Sequence, residues 1–449
     1  MTTHDQSYEE ALAEYIERSK ELLDLESLEN LPPRSPSPYE QSGPPYEAAF
    51  HLDSRTAALY AYSIGDDNPL YTDPEYAKTT RYGCQIAPGP VFVMVRHPSV
   101  HGASRPQGYP VANFFSGAAW EFYDAVRVGS RFRSSKVSKE FIERRGAQGT
   151  LLFLISDDYF WDFHGDLLSK CYGIQIMVPQ PAMGGGRVMP VERLGERMMY
   201  NRKASQFTPE QVQQYVGMME GRRRRGAEPR YWEDVQVGEK IGPMVLPPWT
   251  LQDQECLHYL TYCSWGGAEE DSDALAFEPS FRRLRRRPGG ARTNPLTMWP
   301  WTPGAEHEDA VLASYRGQPG PFDFGIQRVQ IPQQLLTNWM GDDGFIRRMF
   351  FALRRPVYYG DVTVYTGEVV KKYKVVQEGD DQPGGVPGKR EYYAVGIVVE
   401  GANQVGEVHA PGTATVYLPS REGGPVQLPV PHPAKPPFVN YDTFRRDWY

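Results

Sequence analysis

The chain has few cysteines: four among 449 residues, Cys84, Cys171, Cys256 and Cys263, with no Cys-x-x-Cys pair. That excludes a disulfide framework and a thiolate zinc site, and fits a reduced, cytoplasmic protein. No apolar run approaches the ~20 residues a membrane-spanning helix needs. The polar start, Met1 to Gln6, lacks the apolar core of a secretory signal. Positive charge is not in surplus. The net charge of -8 removes bulk attraction to nucleic acid. His97, His101 and His164 fall in loop-like stretches without ligand spacing, so neither a metal nor a cofactor is expected.

Apolar and aromatic residues are plentiful, at 40% and 13% of the chain. At this length they supply cores for two or more domains. The 43 glycines and 40 prolines imply many turns and long ordered loops. Ser7 with Glu10 three positions on is a capping-box spacing, opening an amphipathic helix over 8–24. Residues 31–46, rich in Pro, Ser and Gly, read as a linker. A strand near 48–52 precedes a helix over 54–63. Strand-like alternation then runs through 111–178, with His164-Gly165-Asp166 as the turn between the last two strands. Several such strands after one helix argue for a curved antiparallel sheet around a helix. Thr208-Pro209 starts a further helix ending near Glu220. Arg222 to Arg225 follow as a basic run, read as a solvated linker face.

The pattern then restarts at Tyr231. The interval from Gly89 to Gly129 equals that from Gly320 to Gly360, with a Val three positions before each second glycine. Tyr71, Asp73 and Ala77 recur with the same spacing as His307, Asp309 and Ala313. Two copies of one fold are expected. Strand-like runs in the second copy cover 361–377, 392–400 and 409–418. The expected division is 1–47 for a helix and linker, 48–180 for one domain, 181–230 for a linker with a helix, 231–420 for the second domain, and 421–449 for a tail. The second domain carries a long insertion over 264–300, rich in Arg and aromatic residues.

The most telling stretch is Gly65-Asp66-Asp67-Asn68-Pro69-Leu70-Tyr71-Thr72-Asp73, with Ala77 after it. Pro69 ends the preceding helical pattern, and Asp73-Pro74 opens the next. This stretch resembles the signature of MaoC-like (R)-specific enoyl-CoA hydratases. Gly65, Asp66, Asn68, Pro69, Leu70, Asp73 and Ala77 match, and Tyr71 stands where the family has its catalytic His. The resemblance covers roughly 48–180 and 231–420. It implies an α+β, double hot-dog fold: two antiparallel sheets, each wrapped around a central helix, paired as subunits of a dimeric hydratase pair. Pro319 to Gly325 and Leu336 to Gly344 resemble related two-domain acyl dehydratases.

Hydration of an unsaturated thioester needs a base for water, an acid for the α-carbon, and donors for the thioester oxygen. In the family, an Asp and a His five residues apart hold the water, and an N–H at the start of the central helix serves the oxygen. The resemblance thus points to Asp66, Tyr71 and His307 as catalytic candidates, and to Asn68, Gly89, Asp323 and Gly320 as substrate-binding ones. Neither copy is complete, because Tyr71 replaces His in the first and Thr302 replaces Asp in the second. A tyrosine of ordinary pKa, about 10, donates but is a poor base at neutrality. Three readings stand. His307 works with another acid such as Glu306, Asp309 or Asp323; or Asp66 and Tyr71 form a changed site; or both copies have lost the chemistry. The expected function is hydro-lyase action on an acyl thioester, an enoyl-CoA or 3-hydroxyacyl-CoA, by a homodimer. The alternatives are a repurposed enzyme for another small molecule and a non-catalytic partner subunit.

Overall fold

A computed structural model describes residues 7–28, 50–98, 102–103, 109–146, 149–179, 205–265, 278, 292–293, 297–301, 306–315 and 318–448. The linker expected over 31–46 and most of the insertion expected over 264–300 lie outside the described residues.

Among the described residues, eleven strands form one antiparallel sheet. From one edge the main strands run Arg131–Gly146, Gly149–Asp162, Leu167–Pro179, Val111–Phe122, Phe345–Ala352, Val408–Tyr417, Gly388–Asn403, Thr363–Gly379 and Lys240–Leu246. Two short pieces, Glu26–Leu28 and Phe50–His51, pair with Arg131–Gly146. The two expected sheets are therefore one, joined where Val111–Phe122 pairs with Phe345–Ala352. The seam strand Phe345–Ala352 has no polar alternation, because it is buried on both faces. Such a run gives no period to read in the sequence.

The duplication is visible bond by bond. Leu52 and Ser130 exchange backbone contacts around Gly129 as Trp249 and Asp361 do around Gly360. Asp73 caps the helix after it by accepting from Glu75 N–H and Tyr76 N–H, and Asp309 accepts from Val311 and Leu312 in the same way. Ala77 and Ala313 are both fully buried behind those caps.

The glycine correspondence differs from the sequence reading. Ile86 bridges Arg127, and Phe322 bridges Tyr358, so the counterpart of Gly89 is Gly325 and not Gly320. A Cβ on Gly89 would meet the Phe122 ring at 2.9 Å, and one on Gly325 would meet Leu353 at 2.6 Å. A Cβ on Gly320 would meet nothing within 4 Å. The equal spacing of the earlier glycines arises because the chain between central helix and seam strand is longer in the first copy.

The concave face holds the core. In the first copy the central segment is the 3-10 helix Gly89–Met94, apolar throughout and packed on Trp120, Phe132 and Phe160. In the second it is Gly325–Arg328 followed by Gln333–Met340. The flanking segments cover the outer face of the first copy. The helix Tyr8–Lys20, capped by the expected Ser7–Glu10 box, seats Tyr15 against Leu152, Leu154 and Met177. The tail, expected only as an appendage, stacks Phe438 and Phe444 on Tyr172 at 5.6 and 4.3 Å.

Candidate active site

The signature loop of the first copy runs between the helices Ser54–Ser63 and Pro69–Thr72. Gly65 takes φ +77, which suits glycine and turns the chain out of the first helix. Asn68 caps the next helix by accepting from Leu70 N–H, with Pro69 at its first position.

Asp66 has no exposed surface. Its Oδ1 accepts from Asn68 N–H at 3.0 Å, an Asx turn, while Oδ2 is buried with no hydrogen-bond partner. Burial pushes its pKa up to about 6, against the Asn68 N–H and the Arg224 charge. Tyr71 is buried as well, and Gln333 Nε2 donates to its hydroxyl oxygen at 3.5 Å. Burial, with the Asp66 charge adding to it, lifts the phenol well above its usual pKa, so Tyr71 stays protonated and acts as a donor.

The loop is held by the opposite copy. Gln334 donates to Gly65 O, Gln327 to Ser63 O at 2.8 Å, and Tyr60 donates to Gln330 Oε1. These glutamines line the central helix of the second copy, and all are buried. The sequence reading missed them. Their signal is four glutamines within eight positions, between Ile326 and Leu335.

A cleft opens between this loop and the second copy, with about 540 Å³ of empty space, open solvent at its mouth included. Asn68, Tyr71 and Gly89 line one side; Thr337 and Asp342 line the other, with Asp124 also in the wall. Gly89 begins its helix, where N–H groups have no intrahelical acceptor. Asp66 is absent from the wall and sits behind it. Asp67 faces outward, where Arg222 reaches it at 2.9 Å and Arg224 also pairs with it. The basic run, read as a solvated face, is thus an ion-paired strap beside the cleft.

In the second copy only part of the equivalent loop is described. Thr302, at the Asp position, lies outside the described residues. His307 Nδ1 lies 2.9 Å from the backbone oxygen of Asp323 and 3.2 Å from that of Phe322, so Nδ1–H donates to the main chain. The Asp323 carboxylate turns elsewhere: it accepts from Val357 N–H at 2.8 Å and pairs with buried Arg328 at 2.9 Å. As a candidate partner acid or substrate ligand it is already engaged. Gly320, the other candidate here, does not start the central helix; Gly325 does. Glu255 and Glu308 flank His258 at 3.0 and 3.4 Å, and the three could surround a cation. As they stand they are an ion triad: burial pulls the imidazole pKa down, but the two carboxylates outweigh it and lift it to about 9. Phe324 lies between the His258 and His307 rings, at 5.3 and 5.1 Å.

Residues 47–170 match the model of a family described as FAS1-like, dehydratase domain region. Among solved structures, one titled MaoC-like dehydratase aligns over 89% of this chain and 99% of its own, with 12% identity and a TM-score of 0.55. The MaoC-like dehydratase from Phytophthora capsici aligns over 90% and 99%, with 11% identity and a TM-score of 0.46. No curated protein matches the sequence. No described helix is long and apolar enough to cross a membrane.

Proposed function

We propose that this chain, whose fold is that of a MaoC-like dehydratase and whose residues 47–170 resemble a dehydratase domain region, is a hydro-lyase for an acyl thioester, an enoyl-CoA or its 3-hydroxyacyl counterpart. The observation that carries this reading is the cleft of the first copy, which gathers the signature loop, the start of the central helix and the facing helix of the other copy. Tyr71 O–H and the Gly89 N–H are the donors for the thioester oxygen, whose charge grows as the adjacent double bond is attacked. Asn68 and Asp66 set the loop that presents Tyr71. A non-catalytic partner subunit would gain support if Asp66, Tyr71 and His307 all faced solvent or packed core with no cavity nearby, and Tyr71 in the cleft wall counts against that alternative. His307, with Nδ1 tied to the main chain, is the weaker catalytic candidate. The homodimer and the cytoplasmic location remain part of the proposal; light scattering on the purified chain tests the first.

The test is hydration of trans-2-butenoyl-CoA by the full chain, followed by loss of the conjugated thioester absorbance, together with the reverse dehydration of both 3-hydroxybutyryl-CoA enantiomers. Turnover in either direction supports the proposal. No turnover, joined to no binding of coenzyme A at millimolar concentration, sinks it and favours a non-thioester substrate.

A further inference from the structure

The resemblance assigns acid–base work to the signature carboxylate, yet in this fold Asp66 lies behind the cleft wall and a different carboxylate forms it. We propose that Asp342, contributed by the second copy, is the catalytic acid–base of the first copy's cleft, an inference that rests on the hydro-lyase reading above.

Asp342 follows the helix Gln333–Met340 through Gly341, whose φ of +72 turns the chain sharply. A side chain at 341 would collide with Glu228 O at 2.9 Å and Gly226 O at 3.0 Å, so glycine is required there. Asp342 N–H donates to Gly226 O at 2.9 Å, which fixes the backbone. The residue is 5% exposed, and its carboxylate borders the cleft. Tyr76 O–H donates to Oδ2 at 2.5 Å and the Asn68 side chain also reaches the carboxylate, while Oδ1 is buried and meets no donor in full hydrogen-bonding geometry. A buried carboxylate oxygen left without a donor is costly unless a ligand or water fills the place. Asp124, the other carboxylate of the wall, is already engaged: it accepts from Ala125 N–H at 2.7 Å and pairs with Arg127 at 2.8 Å.

The groups facing Asp342 are Tyr71, Tyr76, Tyr82, Asp343 and Arg224, with Asn68 beside them. Burial raises the carboxyl pKa, Asp343 adds to the rise, and Tyr76, Arg224 and Asn68 oppose it. A carboxylate whose conjugate acid is held above its usual range takes and returns a proton more readily than an ordinary one.

The step balances through this one group. The carboxylate takes a proton from water as the water oxygen bonds to the β-carbon. The π electrons move toward the thioester oxygen, held by Tyr71 O–H. The carboxyl then returns the proton to the α-carbon, forming the C–H bond and restoring itself. Dehydration is the reverse, and no further reactant is needed.

The test measures butenoyl-CoA hydration against pH for wild type, Asp342→Asn, Asp342→Glu, Tyr76→Phe and Asp66→Asn, with thermal unfolding of each. Asp342→Asn is expected to lower kcat ~100-fold or more, with KM little changed and the rising acid limb of kcat/KM lost. Asp342→Glu restores the limb. Tyr76→Phe removes a donor to the ionised form and moves the limb to higher pH, which keeps the test decisive if Asp342→Asn does not fold. Asp66→Asn keeps the limb. The proposal is overturned if Asp342→Asn retains kcat, if the limb disappears with Asp66→Asn instead, or if Tyr76→Phe leaves it in place. An inactive wild type would sink the hydro-lyase reading itself, and this assignment with it.

Discussion

The two central helices occupy equivalent places and have opposite chemistry. Gly89–Met94 in the first copy is apolar, and its side chains only pack. Its counterpart turns Gln327, Gln330, Gln333 and Gln334 inward, where they bond Ser63, Tyr60, Tyr71 and Gly65 of the other copy. Buried amides are tolerable only when bonded. Among the described residues the second copy therefore holds the first copy's loop. The first copy's loop lines a cleft with Tyr71, while His307 of the second copy is tied to the main chain.

The largest expected effect comes from the charge buried behind the cleft. Asp66 has a folded pKa of about 6 against a reference of 3.8, so its contribution is fully present below the unfolded value and is lost as pH rises through about 6. Asp66→Asn keeps the Asx acceptor without the charge. It should stabilise the protein by on the order of 3 kcal/mol at pH 7.5 and by almost nothing at pH ~3.5. Urea unfolding at the two pH values measures this, and equal effects at both would show that the carboxyl is not buried as charge.

Activity provides the second contrast. Tyr71→Phe should cost roughly 10- to 100-fold in kcat through the lost donor. His307→Ala should change kcat less than about 3-fold. The reverse order in the butenoyl-CoA assay would move the active cleft to the second copy.

Third, Gln330→Leu strips Tyr60 O–H of its acceptor and should destabilise by about 1–3 kcal/mol. Met94→Leu, at the matching place in the apolar helix, should cost less than about 1.5 kcal/mol. Similar losses for both would mean that the amides are not holding the halves together.

The smallest effect concerns the ion triad beside His307. The raised pKa of His258 gives stability that is full below about 6.5 and is lost as pH rises through about 9. His258→Gln should cost about 1 kcal/mol at pH 6 and nothing measurable at pH ~10. A cost that does not depend on pH would assign the ring a packing role.

Much of the local structure was legible because its signals are local. Ser7 with Glu10, Thr208 with Pro209 and Gln211, and the Asp162-capped turn at His164 to Asp166 form as their side-chain chemistry dictates. The signature loop was legible as well, since Gly65, Asn68, Pro69 and Asp73 each have a fixed task in a tight turn. The seam strand and the Gly89–Gly325 match were not. The first has no alternation, and the second depends on strand register across a chain-length difference.

What the sequence alone determined is therefore the duplicated helix-and-sheet unit and the loop that interrupts it, because caps, breakers and alternation act over a few residues. Which carboxylate borders the cleft was decided only in three dimensions. Tyr71 and Gln333 stand 262 positions apart, and Tyr76 and Asp342 stand 266 apart. Packing of one half on the other buries Asp66 behind the wall and brings Asp342 to its surface, and no spacing along the chain carries that choice.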